Sequence, residues 1–252
     1  MAGRGTGERP VDGVAAPLGD IVGRPPAGSW LVAGYFTPDY RPWAETLANS
    51  LKEQGAPFHL FASPKLGGGW EVNTRAKPTA ILKAMDEYPD KVIVWLDADC
   101  TVHGDLSPLA RLRADVAARA VARVKPRGVS YTARAGTMVF KPRPPARRFV
   151  AAWADYAAIA RPCDHDQHAL LMALAQVPDV TFETLPTMWA AQPDEDAAAA
   201  IILHGSASRQ PSFIDAVLAD PSLPSEQRRQ WRRRQRGRGL RARIRELMGA
   251  LG

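Results

Sequence analysis

The chain has 252 residues, 46% of them hydrophobic and 23% charged, which fits one sizeable α/β domain and does not require two. Its longest apolar runs, such as Val92–Leu96, are too short to cross a bilayer, and a Gly/Arg/Pro-rich stretch without an apolar signal segment follows Met1. Cys100 and Cys163 have neither disulfide-framework nor zinc-ligand spacing, and the net charge of +7 is concentrated in the last quarter of the chain. The expectation is a cytoplasmic protein, peripheral at most to a membrane or a nucleic acid, whose C-terminus meets an anionic partner.

In chain order, residues 1–27 lack periodicity and read as a flexible leader to a domain at 28–211, followed by a basic helical extension at 212–252. Residues 29–36 (SWLVAGYF) predict a strand closed by a Thr37-Pro38-Asp39 turn. Trp43, Leu47 and Leu51 share one face of a helix over 42–54, stopped by Gly55. A second strand at 58–62 leads to a Gly67-Gly68-Gly69 loop and a helix at 78–88 with Ile81, Leu82 and Met85 on one face. Residues 91–96 (KVIVWL) are the near-continuous apolar run of a central parallel strand buried on both faces. Strand, helix, strand, helix, strand is the opening of a nucleotide-binding α/β unit. Further strands fall near 116–122, 135–141, 180–184 and 200–204, with helices near 145–160 and 166–176.

The central strand ends abruptly in Asp97-Ala98-Asp99, placing two acids at a carboxyl-terminal strand edge, where α/β sheets bind ligands. Two hard oxygen donors one residue apart can hold Mn²⁺ or Mg²⁺ whose other positions take diphosphate oxygens; the same pair could equally be solvated turn acids. His204, after the apolar run 200–203, is either a third ligand to such an ion or a strand-end histidine bonded to backbone. Asn73, Arg75 and Lys77 precede a helix start, which suits phosphate binding or a solvated basic turn. Within 163–168 (CDHDQH) the ligand-like residues are read as a helix cap at Asp164 and solvent-facing histidines rather than a second metal site. There is no G-x-G-x-x-G or G-x-x-x-x-G-K-[ST] loop and no Ser/His/Asp order, which removes dinucleotide, P-loop and serine-hydrolase readings.

The stretch VIVWLDADC resembles the D-x-D element of GT-A glycosyltransferases. TPDYRPWAETLANSLKEQG, GGGWEVNTRAKPTAILKAM, AGTMVFKP, DHDQHALL and LHGSASR resemble successive blocks of a bacterial and phage nucleotide-diphospho-sugar transferase family, in its order, over most of 29–210. The resemblance implies a GT-A fold: a Rossmann-like, mostly parallel mixed sheet flanked by helices. It implies a nucleotide-sugar donor, UDP-linked, and a Mn²⁺ or Mg²⁺ held by Asp97, Asp99 and His204. Tyr35, Phe36 and Thr37 would take the nucleobase and ribose, which Asp97 also touches, although one of the two aromatics is as well placed for the core. Gly136 and Thr137 would lie beside the donor sugar, and Asp166 with Gln167 would be the catalytic pair that orients its hydroxyls. The glycogenin-like pattern implies hexosyl or pentosyl transfer with retention. A non-catalytic sugar-nucleotide or nucleic-acid binding protein that kept the fold is the alternative.

The C-terminus crowds Arg228, Arg229 and Arg232–Arg234 around Trp231, and Leu240, Ile244, Leu247, Met248 and Leu251 then fall at helical spacing. Such a basic amphipathic helix can pack on the domain, lie on an anionic membrane beside a lipid-linked acceptor, or follow a DNA backbone toward a modified base.

Overall fold

Val92–Leu96 (β4) is buried at every position because strands flank it on both edges and helices cover both of its faces. Ile93 and Trp95 join one apolar cluster, while Val92, Val94 and Leu96 join another on the opposite side of the sheet, as the period of two in a strand requires. This is seen in a computed structural model that describes residues 18–24, 28–126, 128–161, 166–193, 195, 197–205, 207 and 211–233.

The remaining elements are β1 (Ile21–Val22), β2 (Trp30–Phe36), α1 (Arg41–Glu53), β3 (Phe58–Ala62), α2 (Trp70–Arg75), α3 (Lys77–Glu87), β5 (Cys100–Val102) and α4 (Ser107–Ala110). They continue with β6 (Val116–Lys125), β7 (Gly128–Phe140), α5 (Pro144–Ile159), α6 (Asp166–Gln176), β8 (Phe182–Thr184), β9 (Ile202–His204) and α7 (Pro211–Ala219). A last described helical stretch, α8, covers 225–233. The main sheet has seven strands in the order β1-β3-β2-β4-β7-β6-β8. β2, β3, β4, β6 and β8 point one way and β1 and β7 the other, so the sheet is mixed and mostly parallel, as expected. Residues of α3, α5 and α6 (Ile81, Phe149, Trp153 and Leu170) fill one face, and Leu47 and Leu51 of α1 fill the other.

Three differences from the sequence reading have physical causes. Within the segment expected as a leader, β1 pairs antiparallel with β3 (Ile21↔Leu60), and the Asp20 carboxylate accepts from His59 and from the Ala62 amide. The strand expected at 135–141 begins at Gly128, because 128–134 pairs along β6 in a long hairpin whose outer half is exposed and carries no apolar run to betray it. Residues 70–75, between the expected glycine loop and helix and assigned to neither, make one and a half turns of helix around the fully buried Glu71. The amphipathic run from Leu240 onward lies outside the described residues, and no described helix is long and apolar enough to cross a membrane.

The connection that matters most for the site is a separate two-stranded ladder. β5 leaves the Asp97-Ala98-Asp99 turn and pairs antiparallel with β9, in the register Cys100↔His204. A residue more than a hundred positions later in the chain is thereby set against the carboxylate turn.

Candidate active site

The turn after β4 opens into a cavity of about 260 Å³ at the carboxyl-terminal end of the parallel strands. Asp97, Asp99, His204, Asp166 and Gln167 all line it, so the acids, the histidine and the acid–amide pair expected from sequence converge on one space. The ends of β2 (Tyr35, Phe36, Thr37) and the short α2 (Trp70, Asn73, Thr74) form its opposite wall.

Lys77 holds the centre together. It is only 4% exposed, and its ammonium contacts Asp97 (2.9 and 3.2 Å), Asp166 (2.6 Å) and the Ala135 carbonyl (3.1 Å). Burial alone would push its pKa down; the attraction of Asp166 and Asp97 outweighs that and holds it above the ordinary lysine value. Burial pushes the Asp97 carboxyl up to about 6, with Asp99 and Asp166 adding to the rise and Lys77 opposing it. A cation in the first turn of α3 is unfavourable to the helix dipole, and the two carboxylates offset this. Lys77, expected near phosphate, lines the cavity with its three donors on Asp97, Asp166 and Ala135.

His204 is equally buried and equally committed. Its Nε2 pairs with the Thr137 hydroxyl at 2.9 Å and its Nδ1 lies 3.4 Å from Cys100 Sγ. Burial pushes the imidazole down to about 4, against the attraction of Asp99, so the ring is neutral and able to donate a lone pair. The donor atoms of Asp99, Cys100 and His204 lie within 4.8 Å of one another. Asp99 is pinned through Oδ2, which accepts from the Ala207 amide at 2.8 Å. Burial raises the Cys100 thiol well above its ordinary value, so it stays protonated and is a poor partner for a hard cation. Asp99 and His204, with Asp97 across the turn, are the residues whose chemistry fits a Mn²⁺ or Mg²⁺.

Gly136 makes room for this cluster. A Cβ at that position would stand 2.8 Å from His204 Nδ1 and 3.2 Å from Asp97 Oδ2, and closer still to His204 Cε1. Thr137, expected beside the donor sugar, is fully buried behind the cavity and orients His204 instead. Arg75, expected near phosphate, turns away to the end of α5, where its guanidinium satisfies the Ala160 and Arg161 carbonyls. The Asn73 amide lines the cavity but spends its side chain on Leu66 and Gly69, tying down the glycine loop. Of the β2 aromatics, Phe36 belongs to the core, while the Tyr35 hydroxyl donates to the Asn73 carbonyl at 2.7 Å. Burial raises the Tyr35 phenol, keeping it a neutral donor. Asp164 and His165 lie outside the described residues; His168 is exposed, as expected.

Sequence reasoning missed a second charged group at the rim. Glu195 accepts from both nitrogens of Arg119, from the Gln192 amide (2.9 Å) and from Arg134 (3.3 Å), and Arg134 and Gln192 line the cavity. Isolated residues on a hairpin and a late loop carry no motif that announces this contact. The hydrogen bonds from Arg119, chiefly, draw the Glu195 carboxyl down to about 2. A carboxyl lowered from its ordinary 4.5 stabilises the fold fully above pH 4.5, and that stability is lost as pH falls toward 2. Since the Glu195 side chain is 24% exposed, screening reduces the effect, and Glu195→Gln is expected to cost about 1–2 kcal/mol at neutral pH. Urea midpoints should show that difference at pH 7 and show it shrinking at pH 3.

Two solved structures share this arrangement of strands and helices. A glycosyltransferase involved in the glycosylation of the major capsid of PBCV-1 superposes with a TM-score of 0.56 at 14% identity, over 70% of this chain and 92% of its own. The glycosyltransferase GlyE of Streptococcus pneumoniae TIGR4 superposes with a TM-score of 0.50 at 15% identity over 81% of this chain. The match spans about 60% of the GlyE chain. No family model and no curated protein matches the sequence. At these identities the likeness is one of fold, and the fold is the GT-A type of the nucleotide-sugar glycosyltransferases.

Proposed function

We propose that this protein is a metal-dependent glycosyltransferase that moves a hexose or pentose from a nucleotide sugar, UDP-linked, to a hydroxyl. The observation that carries the reading is the meeting of Asp97, Asp99, His204 and Asp166-Gln167 in one cavity at the end of the parallel strands. Asp97, Asp99 and His204 would hold the Mn²⁺ or Mg²⁺, which when bound offsets the charge gathering on the departing diphosphate. The β2 end and α2 would take the nucleoside, with Trp70 and Tyr40 the aromatic surfaces on that wall. Asp166 and Gln167 would orient the sugar: the carboxylate accepts from hydroxyls while the amide can donate and accept. Lys77 holds Asp97 and Asp166 in place between these two tasks.

The transfer breaks the bond from the anomeric carbon to the diphosphate, forms one to the acceptor oxygen and releases the acceptor's proton. The described carboxylates lining the cavity are Asp97, Asp99 and Asp166, and each is already engaged by Lys77 or the Ala207 amide. None stands apart as a base opposite the leaving group, which favours retention. The acceptor hydroxyl belongs to a glycan, a lipid-linked glycan or a modified base of DNA; the arginine-rich C-terminus favours a carrier that is anionic. Of its described arginines, Arg228 is excluded from that task, because it donates to the Leu218, Asp220 and Leu223 carbonyls.

The test is a donor screen with Mn²⁺ against glycan and modified-DNA acceptors. UDP-sugar turnover by the wild type should vanish with chelator and fall by about 10²-fold or more in Asp99→Ala. Turnover that is unchanged in both Asp99→Ala and His204→Ala would overturn the metal assignment. Nucleotide-sugar binding without turnover on any acceptor would point to a binding protein that kept the fold.

A further inference from the structure

The described end of the chain packs behind the wall of the cavity. Ile214, Leu223 and Trp231 form a small apolar cluster separate from the two that cover the sheet, and Trp70 of α2 packs against it. Trp231 is fully buried; its ring meets Trp70 edge to face at 5.7 Å, and its indole nitrogen lies 3.3 Å from a carboxylate oxygen of the buried Glu71. One turn earlier on α8, the fully buried Gln227 presses on Gly69, which has φ +96: a Cβ there would stand 2.5 Å from Gln227 Oε1 and 2.6 Å from Leu223 Cδ1. The Gly68 amide reaches the Ser222 hydroxyl at 3.3 Å. On its other side the same loop and helix present Trp70, Asn73 and Thr74 to the cavity, and the Trp70 indole donates to Tyr40, also a lining residue, at 3.2 Å.

A run of three glycines followed by a six-residue helix has little stability of its own: glycine adds backbone entropy, and so short a helix needs tertiary support. The 222–231 segment supplies that support at four points, Gly68, Gly69, Trp70 and Glu71, without lining the cavity itself. We propose that this segment belongs to the donor site: Trp231, backed by Gln227 and Leu223, fixes the Gly67–Trp70 loop and α2 and so sets the affinity for the nucleotide. Trp231 is then a positioning residue acting through Trp70. The proposal rests on the donor-site reading above, and it gives the residues around Trp231 a role besides any contact with an anionic carrier.

The measurements are calorimetric binding of UDP with Mn²⁺, donor KM and kcat, and hydrogen exchange of 66–76, on wild type, Trp231→Ala and Trp231→Phe. In Trp231→Ala, exchange in 66–76 rises while β2 and β4 keep their protection. UDP binding and donor KM weaken about tenfold, and kcat at saturating donor stays within about threefold. Trp231→Phe, which keeps an aromatic ring against Trp70, restores binding to within about threefold of wild type. A residue that served stability alone would lower the melting temperature and leave UDP affinity of the folded protein unchanged, and that result overturns the proposal. Should Trp231→Ala not fold, Gln227→Ala carries the same test at the Gly69 contact, with the same two outcomes. A wild type that binds no nucleoside diphosphate overturns the donor reading itself, whereas normal wild-type affinity with unaltered variants overturns only this inference.

Discussion

Replacing Lys77 with methionine is expected to destabilise the protein by about 3–5 kcal/mol and to remove its activity. Methionine matches the length of the lysine stem, so the packing of α3 is nearly kept and the loss is that of charge. What remains is Asp97 and Asp166 facing each other in a buried site with Asp99 adjoining, and no cation among them. Taking one partner from a buried ionic group costs more than the group contributes as a whole, because the charges left behind lose their counter-ion and the buried Asp166 has little water to replace it. For a chain of this size that loss amounts to a fall in melting temperature of order 10 °C. Activity should fall by about 10²-fold or more even below the melting transition, since both carboxylates lose the contact that aims them. The double variant Lys77→Met/Asp166→Asn separates the two effects: removing one surplus charge should recover much of the stability and none of the turnover. A melting temperature for Lys77→Met within about 2 °C of wild type would show that the ammonium is not the counter-ion of this pair.

How much of this was legible in the sequence depends on whether a residue's environment is local. β4 could be read because burial on both faces leaves an uninterrupted apolar run, and the turn at its end follows directly. The helix Asp166–Gln176 and the strand Phe58–Ala62 stand where periodicity put them. Lys77 looked like one of two cations, with Arg75, before a helix; that it is buried between two acids depends on where β4 ends and α6 begins, which no local pattern states. The partners of Arg75 and Thr137 were hidden for the same reason. Each has the right type and position for a ligand contact, but one finds the open carbonyls of α5 nearer and the other a histidine ring. Cys100 was set aside by spacing rules that consider cysteine pairs, although it pairs directly with His204 across the small ladder. Trp231 was read amid arginines as part of a basic face; its partners, Trp70 and Glu71, lie some 160 residues earlier in the chain.

Gly136 concentrates the geometric claim in one position, and Gly136→Ala should abolish metal-dependent turnover while leaving the fold in place. The residue sits in β7 with Leu96 pairing its neighbour Thr137, and its carbonyl accepts the Asp97 amide at 2.8 Å. A strand backbone accepts alanine without strain, so the cost is purely steric. The added methyl would stand 2.8 Å from His204 Nδ1 and 3.2 Å from Asp97 Oδ2, where neither neighbour can simply swing into solvent. His204 is fixed behind by Thr137 and Cys100, and Asp97 by Lys77, so the methyl must drive the two apart. Overpacking of this kind costs about 1–3 kcal/mol, a few degrees of melting temperature in a domain this size. Its effect on the site is larger, because a displacement of about 1 Å between the histidine and the carboxylate costs about 10²-fold in rate. The disproportion is the test. Modest thermal loss with loss of Mn²⁺-dependent turnover means that Gly136 keeps open the space where His204 meets the carboxylate turn, whereas wild-type turnover would mean that His204 is only a buried strand-end residue.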